Sequence, residues 1–256
     1  MIIIALFIAG TIIGSFMNVC IYRLPGGESI IKPRSRCISC GKAIAWFDNI
    51  PILSFLALRG RCRSCKKTIS IRYPIVEIIS GIMCALLFTY FGFTAKSFIL
   101  LVFSCALVVV SFIDFAIQEI PDVITLPGIV IGLISAALFP SLVGSPDNIS
   151  AFFNSFLGVL AGGGTIYILG FVGEFIFKKE AMGGGDVKLL AMIGAFIGWK
   201  LAIFTFFLAP FFGAAVGITL KLKDGREIIP YGPYLSLAAI VAIFYGDAVI
   251  GKLFIL

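Results

Sequence analysis

The 256-residue chain contains no histidine. That absence excludes Ser-His and Cys-His catalysis, HExxH zinc sites and haem ligation through imidazole. Acid–base chemistry here must use Asp, Glu, Lys, Tyr or Cys. Charge is scarce as well. Only 13% of residues are Asp, Glu, Lys or Arg, against about a quarter in a soluble domain. No Gly-Lys-Ser/Thr follows any glycine string, so a P-loop is excluded. No internal repeat is visible, and no nucleic-acid motif accompanies the net charge of +7, so no nucleic-acid partner is expected. What is present is apolar: 60% hydrophobic residues and a mean hydropathy of +1.13. Apolar stretches close to membrane-spanning length recur along the chain. A soluble fold of many buried strands is the disfavoured alternative.

The expected fold class is therefore all-α, a polytopic membrane protein of about eight transmembrane helices with a small cytoplasmic zinc-knuckle insertion. The expected spans are roughly 1–22, 73–93, 97–117, 122–140, 150–177, 184–199, 200–220 and 231–255. The sixth is short and glycine-interrupted, which suggests a tilted or partly re-entrant segment. The first has no basic residues before it and no small-residue cleavage site after it, so it reads as a retained span and not a signal peptide. Three parts follow: a first helix over 1–22, a Cys-rich loop over 23–72 and a membrane-embedded core over 73–256.

Orientation follows from Lys and Arg. Residues 23–72 hold eleven of the twenty basic residues against two acids, Glu28 and Asp48. Placing this segment in the cytoplasm also puts Lys178-Lys179 and Lys221–Arg226 inside. The connections near Gly92–Lys96, Pro140–Ile149 and Gly198–Lys200 carry few positive charges. The positive-inside rule then gives a chain with both termini outside. Attraction of the basic loop to anionic lipid accounts for its charge.

That loop contains Cys37, Cys40, Cys62 and Cys65 in the pattern C-x2-C-x21-C-x2-C. Paired CxxC knuckles at this spacing read as a four-thiolate tetrahedral zinc site, with a redox dithiol pair or a vestigial site as alternatives. Gly41 stands where the first knuckle needs a tight turn. Arg36, Arg61, Arg63, Lys66 and Lys67 would offset the negative charge of four thiolates on zinc. A reducing cytoplasm disfavours disulfides. Four thiolates leave no open position, so the zinc would be structural. Cys20, Cys84 and Cys105 lie in apolar spans and read as packing residues.

Two acids stand where a membrane protein rarely places them. Asp114 ends the apolar run Ser97–Ile113, and Asp186 follows Gly183, Gly184 and Gly185. An ionisable residue at such a position is a functional-site candidate. Asp114 sits at the C-terminal end of its helix, where the dipole disfavours an anion. Asp186 opens the next span, so helix capping is its bland reading; the three glycines offer a side-chain-free approach for an extended peptide. Asp122, in the first turn of a helix opened by Pro121, is explained by favourable dipole interaction. Glu119 reads as a solvated connector residue. Glu174, Glu180, Asp224, Glu227 and Asp247 have bland readings near loops. On this topology Asp114 and Asp186 share the cytoplasmic face, as a proton-sharing carboxylate dyad would require. Two other classes remain: a membrane phosphotransferase with Asp-bound magnesium, and a proton-coupled transporter using both acids as a relay.

Gly183–Asp186 resembles the GxGD signature of intramembrane aspartyl proteases. The ordered set Gly14–Pro25, the paired CxxC knuckles, Arg72–Glu77, Asp114–Leu126, Gly183–Ala195 and Pro230–Pro233 is similar to bacterial type IV prepilin peptidases, also called leader peptidase/N-methyltransferases. The resemblance covers essentially the whole chain. It implies an enzyme of the bacterial inner membrane that removes the basic leader from prepilins and pseudopilins. It implies that Asp114 and Asp186 are the catalytic pair, with Asp122 supporting. It also implies S-adenosylmethionine-dependent methylation of the new N-terminus. No glycine fingerprint of soluble methyltransferases is visible, so the donor's site is not placed.

Overall fold

The computed structural model describes residues 1–178, 183–224 and 230–253. The Lys179–Glu180 and Gly225–Glu227 parts of the two later basic loops lie outside the described residues, as does the end of the last expected span. All regular structure among the described residues is helical apart from two isolated bridges. The chain packs as two compact units, Met1–Val109 and Val110–Leu256.

In the first unit α1 (Ile2–Arg23) and α3 (Arg72–Phe91) form an antiparallel pair. Small residues let the backbones meet, as they do between helices in lipid. A Cβ at Gly14 would lie 2.7 Å from the Glu77 Cα, and one at Gly10 2.6 Å from the Ser80 carbonyl oxygen. Polar groups stitch the same seam. Ser80 Oγ donates to the Gly10 carbonyl at 2.5 Å, and Asn18 Nδ2 to the Tyr73 carbonyl at 3.0 Å. Between these helices lies the Cys-rich loop with one short helix, α2 (Leu53–Ala57). The helix α4 (Ala95–Ile117) begins in this unit and ends in the second.

The second unit adds α5 (Asp122–Leu138), α6 (Asn148–Phe177), α7 (Gly184–Asp224), α8 (Gly232–Val241) and α9 (Asp247–Leu253). A π-helical turn, Ala242–Gly246, joins the last two. Asp147 caps α6, its carboxylate accepting from the amides of Ile149 and Ser150 at 3.0 and 2.9 Å. The Ser150 amide, then the Ser150 hydroxyl and the Ile149 amide, hold the Asp147 pKa below the ordinary carboxyl range.

The α7 stretch is not one straight rod. Gly198 has φ 79° and ψ 170°, a conformation outside the helix and open only to glycine. Before it, Gly194 lies against Gly158 and Gly162 against Leu190, so the first arm runs antiparallel to α6. Beyond it, Gly246 lies against Leu201 and Gly213 against Tyr234, so the second arm runs antiparallel to α8 and α9. Gly185 and Gly232 both abut Ile120, which puts the starts of α7 and α8 at one end. The second arm, passing Tyr234, has returned to that end. The expected boundary between the sixth and seventh spans thus coincides with a reversal of the chain. The first arm is regular helix, and its Gly185 and Gly194 serve packing.

Among the described residues six helices are long and apolar enough to cross a membrane by length and composition, and Asp122–Leu138 is a shorter apolar helix. Treating that helix and the two arms of α7 as separate crossings would bring the number to the expected eight.

Candidate functional site

Asp114 lies near the end of α4, three residues before Ile117, and is 5% exposed. Asp186 lies in the first turn of α7, where its amide donates to the Gly183 carbonyl at 3.1 Å. The fold brings the two helix ends together around Ile120: a Cβ on Gly232 would meet both Asp114 Oδ2 and Ile120, and a Cβ on Gly185, the residue before Asp186, would meet Ile120 as well. A third segment closes on the pair. The Gly232 amide, at the start of α8, donates to Asp114 Oδ2 at 3.0 Å. A Cβ on Gly232 would sit 2.7 Å from that oxygen, so a side chain there would displace the carboxylate. Next to it, the buried Tyr231 hydroxyl has no hydrogen-bond partner among the described residues.

The three glycines before Asp186 differ from one another. A Cβ on Gly185 would press into Ile120 at 2.9 Å, so close packing requires that glycine. Gly184 faces open space, and a Cβ on Gly183 would meet only Asp186 Oδ2, at 3.4 Å. Asp122 lies in the first turn of α5, as expected. Its carboxylate also accepts two bonds from Lys188 Nζ, each 2.7 Å. This pair ties the start of α5 to the start of α7, two residues past Asp186. Both side chains are more than a third exposed, so the pair contributes positioning more than stability. Glu119 is exposed, as expected for a connector.

In the loop, the ligand atoms of Cys37, Cys40, Cys62 and Cys65 all lie within 4.8 Å of one another. Each knuckle is closed by the same bonds. Cys37 N donates to the Lys42 carbonyl and Gly41 N to that of Cys37, both at 2.9 Å; Cys62 N donates to the Lys67 carbonyl at 2.9 Å and Lys66 N to that of Cys62 at 3.0 Å. Gly41 at φ 71° and Lys66 at φ 59° occupy equivalent left-handed positions. The amide of Cys40, and less that of Ser39, hold the Cys37 thiol at about 6 against the opposing effect of burial. Four bonds of about 2.3 Å at tetrahedral angles set sulfurs about 3.8 Å apart. The Cys37–Cys65 separation is 3.8 Å, so this donor set could hold such an ion. Cys20 and Cys84 are buried and Cys105 half-buried, as packing residues would be.

Glu77 escaped the sequence reading. It is 7% exposed and accepts from the Ile52 amide at 2.7 Å. The signal was present, since it is an acid five residues inside an apolar span with no opposite charge beside it in sequence.

Comparison with known proteins places these features. The bacterial peptidase A24 N-terminal domain matches residues 8–91, and the type IV leader peptidase family matches residues 101–218. A Myxococcus xanthus protein named prepilin leader peptidase/N-methyltransferase is 39% identical over 86% of this chain, which spans 64% of that protein's length. Proteins of the same name from Pseudomonas putida and Pseudomonas aeruginosa are 33% and 34% identical, each over 94% of this chain; it spans 90% and 89% of their respective lengths. No solved structure matches.

Proposed function

The chain belongs to the type IV leader peptidase family, and from that premise we propose that it cleaves the basic leader from prepilins and pseudopilins with Asp114 and Asp186, and methylates the N-terminus so exposed. The observation that carries the proposal is the convergence of two acids and the Tyr231-Gly232 turn from three separate helix ends. In this reading the two carboxylates share one proton. The ionised one takes a proton from water, whose oxygen bonds to the scissile carbonyl carbon. The protonated one donates a hydrogen bond to the developing oxyanion. As the tetrahedral carbon collapses, the C–N bond breaks and a carboxyl proton passes to the leaving amine. The Gly232 amide fixes one oxygen of Asp114, which orients the carboxyl before substrate arrives. Open space at Gly183 and Gly184 suits an extended peptide backbone. Asp122, through Lys188, holds the glycine segment against α5.

Among the described residues no third carboxylate joins Asp114 and Asp186 to make a metal-holding group. This favours a proton-sharing pair over a magnesium-dependent phosphotransferase. The turn at Gly232, closed over Asp114, favours it over a relay across the bilayer. The basic loop and the aspartates are placed at the cytoplasmic face of the bacterial inner membrane, with both termini outside and the chain divided into a first helix at 1–22, a loop at 23–72 and a catalytic core at 73–256.

Zinc is the ion assigned to Cys37, Cys40, Cys62 and Cys65. When bound it supplies folding energy to a loop with little core of its own. The methyl donor, S-adenosylmethionine, is a sulfonium cation. A hollow of about 310 Å³ beside the knuckles is lined by Arg59, Arg61, Arg63 and Lys66 and would repel that centre, so no residue is assigned to the donor.

The test is incubation of the detergent-solubilised protein with a prepilin, with and without methyl donor, followed by mass analysis. Loss of the leader alone, then the further gain of one methyl group when donor is present, is expected. A prepilin left intact by metal-replete protein would overturn the reading.

A further inference from the structure

The Cys-rich loop is basic, yet it exposes large apolar side chains. Trp46 is 75% exposed, Leu53 65% and Leu56 64%; Phe47 and Ile50 are also open. These five fall within eleven residues. Leu53 and Leu56 share one face of α2 by their spacing of three. Such a patch on a polar loop marks an interaction surface.

Its height relative to the bilayer is fixed by one bond. The amide of Ile52, at the centre of the patch, donates to Glu77 Oε2 at 2.7 Å. Glu77 lies five residues past Arg72 in the apolar helix α3, about 7.5 Å along its axis. Ile52 itself is held at φ 61° and ψ −52°, an unusual conformation for a β-branched residue that persists only where the surroundings impose it. The loop is thus pinned at the level where an in-plane amphipathic segment buries its apolar face, about 5–10 Å into the boundary between headgroups and acyl chains. Tryptophan belongs at that level.

Charge completes the surface. The hollow lined by Arg59, Arg61, Arg63 and Lys66 follows the patch in sequence. The Arg63 guanidinium stands 5.5 Å from the centre of the Phe47 ring and bonds Asp48 at 2.7 and 2.8 Å. It thereby joins the cationic hollow to the apolar patch.

We propose that Trp46–Leu56 is an interfacial anchor, set into the headgroup region of the bilayer that α1 and α3 cross, with the adjacent hollow seated on anionic phospholipid headgroups. The inference is independent of the peptidase reading. It assigns the loop a third attachment to the membrane besides its two helices.

The test uses the full-length, metal-replete protein in vesicles of phosphatidylcholine with and without phosphatidylglycerol. Subtracting the fluorescence of a Trp46→Phe variant from that of the unaltered protein isolates Trp46 from Trp199. Emission at short wavelength, quenching by lipid brominated on its acyl chains and protection from aqueous iodide are expected. The quenching should be stronger with phosphatidylglycerol, and high salt should remove that difference. Arg59→Gln combined with Lys66→Gln should remove it at low salt, with metal content measured to verify the fold; if the variant loses metal, the salt arm decides. Trp46 open to iodide and untouched by brominated lipid would place the patch in water. Trp46 closed to both would place it against protein, such as a second copy. Either result overturns the anchor, and lipid quenching indifferent to phosphatidylglycerol and salt overturns the headgroup assignment.

Discussion

The thiolate cluster and the aspartate pair are built in opposite ways. Cys37, Cys40, Cys62 and Cys65 sit on two short turns, each closed by bonds within six residues. Little else holds the four sulfurs within 4.8 Å, so their arrangement depends on what they bind. Asp114 closes one long helix, α4, against the Gly232 amide, and Asp186 opens another, α7, whose Gly185 and Gly194 contacts fix the backbone. Their arrangement depends on packing between segments far apart in sequence. A local site held by a ligand should fail when a ligand atom is lost; a packed site should tolerate loss of its own acids and fail when a helix contact is disturbed.

The largest effect should therefore come from Cys37→Ser. It should abolish metal retention and loosen the loop, read as complete loss of zinc on elemental analysis and rapid proteolysis between the first two membrane helices. Retained zinc at one ion per chain would break the comparison on this side. Next is Gly232→Ala, whose methyl would displace Asp114 Oδ2 from 2.7 Å away. Misplacing a reacting group by about 1 Å costs about 10²-fold in rate. Leader cleavage should fall by that order while zinc content is unchanged. Gly194→Ala acts further away. Its Cβ would enter the carbonyl of Gly158 and part α6 from the first arm of α7, an overpacking change costing about 1–3 kcal/mol. The expected readout is a lower midpoint of thermal unfolding together with reduced cleavage. Asp122→Asn should be milder, because its bond to Lys188 is exposed and such pairs contribute about 0–1 kcal/mol. Cleavage should persist at a reduced rate. The smallest effect is Lys66→Gly, which relieves a left-handed residue at φ 59°. It should stabilise the loop by about 1 kcal/mol, seen as slower proteolysis with no change in metal content.

The sequence was most legible where sites are local. Two CxxC pairs and the turn at Gly41 are written in consecutive residues, and the structure sets them as the spacing requires. Helix positions were legible from apolar runs, and the glycine at 198 marked the reversal inside the long α7 stretch. Partners far apart in sequence were not legible. Nothing near Asp114 announces that the amide of Gly232 will bind it. Asp122 read as a helix-dipole residue because Lys188 is remote in sequence, and the partner of Glu77 was out of reach because a backbone amide leaves no side-chain signal, although the acid itself stood out inside an apolar span. The residues that decide how the carboxyls point are thus the ones that pattern reading could not reach.

The central claim is that hydrolysis belongs to the aspartates alone and is separable from methyl transfer. The most direct measurement is a pair of assays on purified Asp186→Asn protein of unchanged thermal stability. One presents an intact prepilin; the other presents a pre-cleaved peptide with a free N-terminus together with S-adenosylmethionine. The account predicts no leader cleavage in the first and a mass gain of one methyl group in the second. Cleavage by this variant, or loss of methyl transfer alongside cleavage, would contradict it.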